Sequence, residues 1–171
     1  MDLRYGSMLK KSDLVKAQLE FALRITLFQD ICEEGLDIKI YSYLRSSIEQ
    51  AILYRKGRAY SRIEKKALEL ADVFERPGLA AVLLGVPAQF DKKVVTNAAC
   101  GQSKHNYGLA VDCVPMKFRR AVWNDNILWD KIGFIAERCE LEWGGDWKFK
   151  DKTHLQFPDL SWRDLIRLDK H

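Results

Sequence analysis

The chain has 171 residues, 47% of them hydrophobic and 30% charged, which suits one domain with a buried core and excludes a disordered or low-complexity chain. Its 28 basic and 24 acidic residues leave a net charge of +4, too thin a surplus for a dedicated nucleic-acid binder. No run nears the roughly 20 apolar residues of a membrane span, and the opening stretch lacks the apolar core of a secretory signal. Synthesis in the cytoplasm is therefore expected. Four scattered cysteines (Cys32, Cys100, Cys113, Cys139) form no Cys-x-x-Cys pair. This excludes a zinc ribbon and predicts reduced, packed thiols.

Ser12 is expected to cap a first helix that runs to about Glu34 and stops at Gly35. Leu14, Phe21, Ile25 and Phe28 form its apolar stripe, with Val15, Leu19 and Ala22 widening the buried face. The alternating, β-branched and aromatic run 38–44 predicts a strand, with Arg45 at its end. Ser46 and Glu49 have the spacing of a capping box opening a short helix through Tyr54 to Gly57. Ser61 and Glu64 repeat that spacing before Ile63, Ala67, Leu70 and Phe74, and Arg76-Pro77-Gly78 is expected to end this helix. Val94 and Val95 suggest a strand start, and 109–114 predicts a stronger strand. Leu128, Ile132, Ile135 and Cys139 define a helix, and 141–147 with 154–157 reads as a hairpin-like pair. The sum is an α+β single domain, a small antiparallel sheet with flanking helices.

Of three histidines, His171 is terminal and expected to be disordered. His105 precedes Asp112, which falls on the predicted strand, and His154 opens another. Two imidazoles and a carboxylate are a three-ligand zinc set that leaves a position for water, whose pKa zinc lowers to roughly 7. Taken by spacing alone, a His-x6-Asp pair is not specific, and structural hydrogen-bonding histidines are the competing reading.

The pattern Ser103, His105, Gly108, Ala110, Asp112, then Glu142-Trp143-Gly144-Gly145, then Asp151, His154, Gln156 resembles the zinc peptidoglycan peptidases. These include the L-alanyl-D-glutamate endopeptidases of phage endolysins and the vancomycin-resistance D,D-carboxypeptidases, with the Hedgehog signalling domain as a fold relative. Upstream, Arg45-Ser46, Glu49-Gln50, Leu53-Tyr54 and Gly57-Arg58 are similar to the same family's Arg-Ser-x-x-Glu-Gln and Leu-Tyr-x-x-Gly-Arg segment. Thr96-Asn97-Ala98 with 103–112 is similar to the L-alanyl-D-glutamate branch in particular.

The resemblance implies a Hedgehog/D,D-peptidase-like site holding one Zn2+ per chain through His105, Asp112 and His154. It implies Asp151 as general base and Arg45 as the arginine facing the scissile carbonyl. Ser103 and Gln50 would line the cleft. Gly108 is expected where backbone passes close to the site. Such an enzyme takes peptidoglycan stem peptides, needs no nucleic acid, and acts on the cell wall after release, in a phage-type lysin through a separate holin-type pore. The competing readings are a D,D-carboxypeptidase of the same fold and a wall-binding module that keeps zinc but has lost catalysis. Trp143, Trp147 and Trp162 are expected as core or cleft wall before sugar platforms. One departure stands out: compact members reach the Val-Thr-x-Ala strand soon after the Gly-Arg pair, whereas this chain, read as one zinc peptidase domain over 1–171, has a helical insertion at about 59–92.

Overall fold

The computed structural model describes residues 9–87 and 93–168; His171 and the 88–92 end of the expected insertion lie outside the described residues. Helix α1 (Lys11–Glu33) begins before the expected Ser12 cap. Its N-terminus is closed instead by Asp13, whose carboxylate accepts from the Lys10 backbone N–H at 2.9 Å. Gly35 is not left-handed. The buried face is Ala17, Phe21, Ile25, Phe28 and Cys32. Val15 and Leu19, expected to widen it, are 53% and 64% exposed, and Ala22 is exposed too. The core takes only one stripe of this helix because α1 packs on a single side.

Strand β1 (Ile38–Ser42) is shorter than predicted, because the chain leaves the sheet before Arg45. Helix α2 (Ser47–Arg55) has the expected capping box, with the Glu49 N–H donating to Ser46 Oγ and the Ser46 N–H donating to Glu49 Oε2. Helix α3 (Tyr60–Leu68) has no such box: Ala59 is its N-cap and Ser61 lies inside its first turn. The helix runs on into a π turn, Glu69–Val73. Pro77 does not merely end it but opens α4 (Pro77–Gly85), because proline at a first helical position sacrifices no hydrogen bond. Val94 and Val95 are exposed and outside any strand.

Strand β2 (Ala110–Lys117) is the spine of the sheet, and β3 (Arg120–Ala121) folds back on its end. Helix α5 (Asn126–Arg138) follows, then β4 (Glu142–Trp143), β5 (His154–Gln156) and the short α6 (Trp162–Leu165). The strand order is β1-β2-β5-β4, antiparallel throughout. The α+β architecture with a small antiparallel sheet is as the sequence predicted.

Two apolar clusters hold the fold. The larger joins Phe21, Ile25 and Phe28 of α1 to Trp129 and Ile132 of α5 and to Val111 and Leu155 of the sheet. The second is built from Ala51 and Tyr54 of α2, Ile63 and Ala67 of α3, Leu83 of α4, and Cys100 and Ile166. Each large apolar side chain removed from water contributes roughly 1.5–3 kcal/mol. The 59–87 helices are thus part of a shared core. Arg55 fastens them further, because its buried guanidinium donates to the Leu83 and Leu84 carbonyls at the C-terminus of α4. All four cysteines are free and buried. Burial pushes the Cys32 and Cys113 thiols up to about 12 and Cys100 up to about 11, so they remain small protonated core groups.

Candidate metal centre

The sheet register assembles the site. Asp112 on β2 pairs across to Ser42 of β1 on one side and to His154 of β5 on the other. Directly opposed residues put their side chains on the same face, so the carboxylate and the His154 imidazole meet. His105 arrives from a short 3-10 turn, Lys104–Tyr107, which Gly108 ends in a left-handed conformation at φ 66°. The glycine is needed for that φ and not for a close approach, since a Cβ there would meet only ordinary contacts.

Nε2 of His105 lies 3.2 Å and Nδ1 of His154 3.4 Å from Oδ1 of Asp112. One ligand atom from each of the three buried residues lies within 4.8 Å of the other two. The remaining ring nitrogens are engaged. His105 Nδ1 is 2.7 Å from the Tyr43 carbonyl, which can only accept, so that nitrogen carries the proton and Nε2 is free to ligate. His154 Nε2 is 3.1 Å from Gln156 Oε1. The Gln156 amide donates to Glu142 Oε2 at 2.6 Å, and Trp147 Nε1 donates to Glu142 Oε1 at 2.7 Å. This relay fixes the second tautomer with Nδ1 free. An ionised carboxylate and two oriented imidazole nitrogens fit a divalent transition metal, zinc included.

Arg45 lies beside this group. Its Nη2 donates to Asp112 Oδ2 at 3.0 Å and to Ser42 Oγ at 3.1 Å, and its Nη1 donates to Gln50 Oε1 at 2.9 Å. The backbone on either side is clamped to the 3-10 turn: the Arg45 N–H donates to the His105 carbonyl, and Asn106 Nδ2 donates to the Arg45 carbonyl. Gln50, expected to line the cleft, does not. It is 0% exposed, and its amide is spent between Arg45 and the Ala98 carbonyl at 2.7 Å. It holds Arg45 from behind.

Asp151 is exposed on the cleft and accepts from Thr153 Oγ1 at 2.9 Å. It stands apart from the three-residue group. Its position depends on Gly144, whose carbonyl accepts from the Asp151 N–H at 2.8 Å and where a Cβ would collide with the Asp151 backbone. Ser103 and Trp147 line the same cleft, which reaches about 1030 Å3. Trp143 is buried, and its indole donates to the Lys152 carbonyl.

Several residues acquire roles that the sequence reading did not give them. Arg58 is buried against the Tyr54 ring at 4.0 Å and donates to the Thr96 carbonyl and to Asn97, pinning a cleft wall. Gln156 and Glu142 stood in recognised motifs but without a task, because their relay runs across a β4–β5 pair that only register reveals. Tyr41 also lines the cleft. Burial, and then the nearby Asp112 and Asp151 carboxylates, raise its phenol and keep it protonated, against the opposing pull of Thr153.

A His-His-carboxylate group lining a cleft is a donor set able to hold a single divalent metal ion. Residues 96–157, which carry His105, Asp112 and His154, match the family model described as D-alanyl-D-alanine carboxypeptidase. It is 32% identical over 133 residues to the peptidoglycan L-alanyl-D-glutamate endopeptidase CwlK of Bacillus subtilis, a match covering 72% of this chain. The chain spans 62% of that relative's length. The Serratia marcescens L-Ala D-Glu endopeptidase ChiX aligns over 91% of this chain and 95% of its own, at 18% identity and a TM-score of 0.45.

Proposed function

We propose that this chain is a zinc metallopeptidase that cuts the peptidoglycan stem peptide at the L-alanyl-D-glutamate bond. The observation that carries the reading is the convergence of His105, Asp112 and His154 with Arg45 at one end of a cleft that Asp151 also lines. The 32% identity to a named L-alanyl-D-glutamate endopeptidase supports the choice of bond. One Zn2+ per chain, held by the two histidines and Asp112, supplies Lewis acidity for hydrolysis at neutral pH.

The chain's own residues do the rest. Asp151 takes a proton from the attacking water and returns it to the leaving amine. Arg45 offers planar guanidinium donors to the negative charge that forms on the carbonyl oxygen. Ser103 lines the cleft for substrate, and Gln50 keeps Arg45 in place. The enzyme acts on the wall after release, by a holin-type pore in a phage-type lysin. A second reading, D,D-carboxypeptidase, is favoured by the description of the matching family model.

Digesting purified peptidoglycan and reading the new termini by mass spectrometry separates these. New L-alanine carboxyl and D-glutamate amino termini support the endopeptidase. Free D-alanine as the sole product moves the activity to the carboxypeptidase, and an untouched wall leaves a zinc-holding binding module.

A further inference from the structure

The cleft does not end at the metal group. At about 1030 Å3 it reaches the upper end of the roughly 300–1,000 Å3 that accommodates a drug-sized ligand, more room than the two residues flanking one peptide bond require. Its lining also includes Lys66, Glu69 and Phe74 from the 59–87 segment and Trp162, Arg163 and Asp164 from α6. Lys66 and Glu69 form an ion pair at 2.7 Å with both side chains partly open to solvent. The Phe74 and Trp162 rings lie 5.4 Å apart, and the Arg163 guanidinium lies 4.5 Å from the Trp162 ring.

This part of the lining thus carries both signs of charge beside two aromatic rings. That chemistry matches a peptide carrying amine and carboxylate groups in close succession, and it suits neither a polyanion, which wants one sign, nor a purely apolar ligand. Glu69 opens the π turn, a rare geometry that recurs at functional positions. The wall is also fixed in place, since Arg55 and the second apolar cluster tie these helices to α2.

We propose that the 59–87 helices and α6 form a distal subsite that grips the charged part of the stem peptide beyond the cleaved bond. The identity of that peptide rests on the endopeptidase reading above. The test is binding without turnover, using metal-free protein, the dipeptide L-Ala-D-Glu and the tetrapeptide L-Ala-D-Glu-L-Lys-D-Ala, read by calorimetry. Wild type should bind the tetrapeptide about tenfold tighter or better. The double variant Lys66→Ala/Glu69→Ala and the single variant Arg163→Ala should each lose most of that ratio, whereas Lys65→Ala, on the same helix but outside the cleft, should keep it. Thermal melts confirm that each variant is folded. Equal binding of the two peptides by wild type, or a ratio that survives in both cleft variants, overturns the subsite. A tetrapeptide that binds with the expected ratio but is never cut by the zinc-loaded protein overturns the endopeptidase reading and supports the subsite.

Discussion

Arg45 and Asp112 share a hydrogen bond of 3.0 Å between Nη2 and Oδ2, while the other oxygen of the same carboxylate faces both histidines. The arginine therefore orients the carboxylate proposed as a zinc ligand in addition to facing the cleft, and the two roles can be separated. Arg45→Ala should weaken zinc binding by about 10–100-fold, the usual cost of losing a partner behind a ligand. It should cut turnover further than metal loss explains, because the donor for the developing oxyanion is gone. Zinc affinity by chelator competition, beside cleavage at saturating zinc, measures both. Normal cleavage at saturating zinc would remove the oxyanion role.

Asp151 and His154 are three residues apart yet differ in kind. Asp151→Asn keeps the size and the bond from Thr153 but cannot take a proton, so it should retain zinc and lose roughly 10²–10⁴-fold in turnover. His154→Ala should lose the metal itself and some stability with it. Zinc content and peptide cleavage on both variants decide the matter. A zinc-free Asn variant would make Asp151 a ligand, and a fully active one would dismiss it as the base.

The Gln156 amide connects His154 to Glu142. Gln156→Leu should release the His154 tautomer and weaken zinc about 10–100-fold. ¹⁵N chemical shifts of the His154 ring in metal-free protein should show the proton on Nε2 in wild type and a mixture of tautomers in the variant. Identical ring shifts in the two proteins would dismiss the relay.

Glu49 gives a pH-dependent prediction. The Ser46 backbone N–H, and then its hydroxyl, hold the Glu49 carboxyl below its ordinary value. A carboxyl lowered in the folded state contributes stability that is present above its unfolded pKa and lost as pH falls through the folded one. Glu49→Gln should therefore melt below wild type at pH 7, and the gap should close under acid conditions. A gap that stays constant with pH would assign the effect to shape and not to charge.

The 59–87 segment was open to being a removable insertion. Because Ile63, Ala67 and Leu83 share a core with Ala51, Tyr54 and Ile166, replacing the segment with a short loop should prevent folding. A milder probe is Leu83→Ala, which should cost about 2–5 kcal/mol and lower the melting temperature. Native-like folding of the deletion would show that the second cluster is dispensable.

The Ser46–Glu49 cap and the main strand were legible in the sequence because each depends on residue type at short spacing, whereas the grouping of His105, Asp112 and His154 was implied by the resemblance of whole motifs. The two cap residues are three apart. What lies across strands was not legible. That Asp112 sits opposite His154, that Gln156 reaches Glu142, and that Gln50 stands behind Arg45 are consequences of register and burial, which no local pattern encodes. The misread faces have the same cause. Val15 and Leu19 carry the periodicity of a buried stripe, and Ser61 the spacing of a cap, but only the packing of α1 on one side, and the chain's entry into α3 at Ala59, decide which of those local options the fold uses. Sequence alone thus determined the chemistry available to this protein, while tertiary structure decided which groups meet, because a side chain's partners are set by the backbone that brings distant strands to 5 Å of each other.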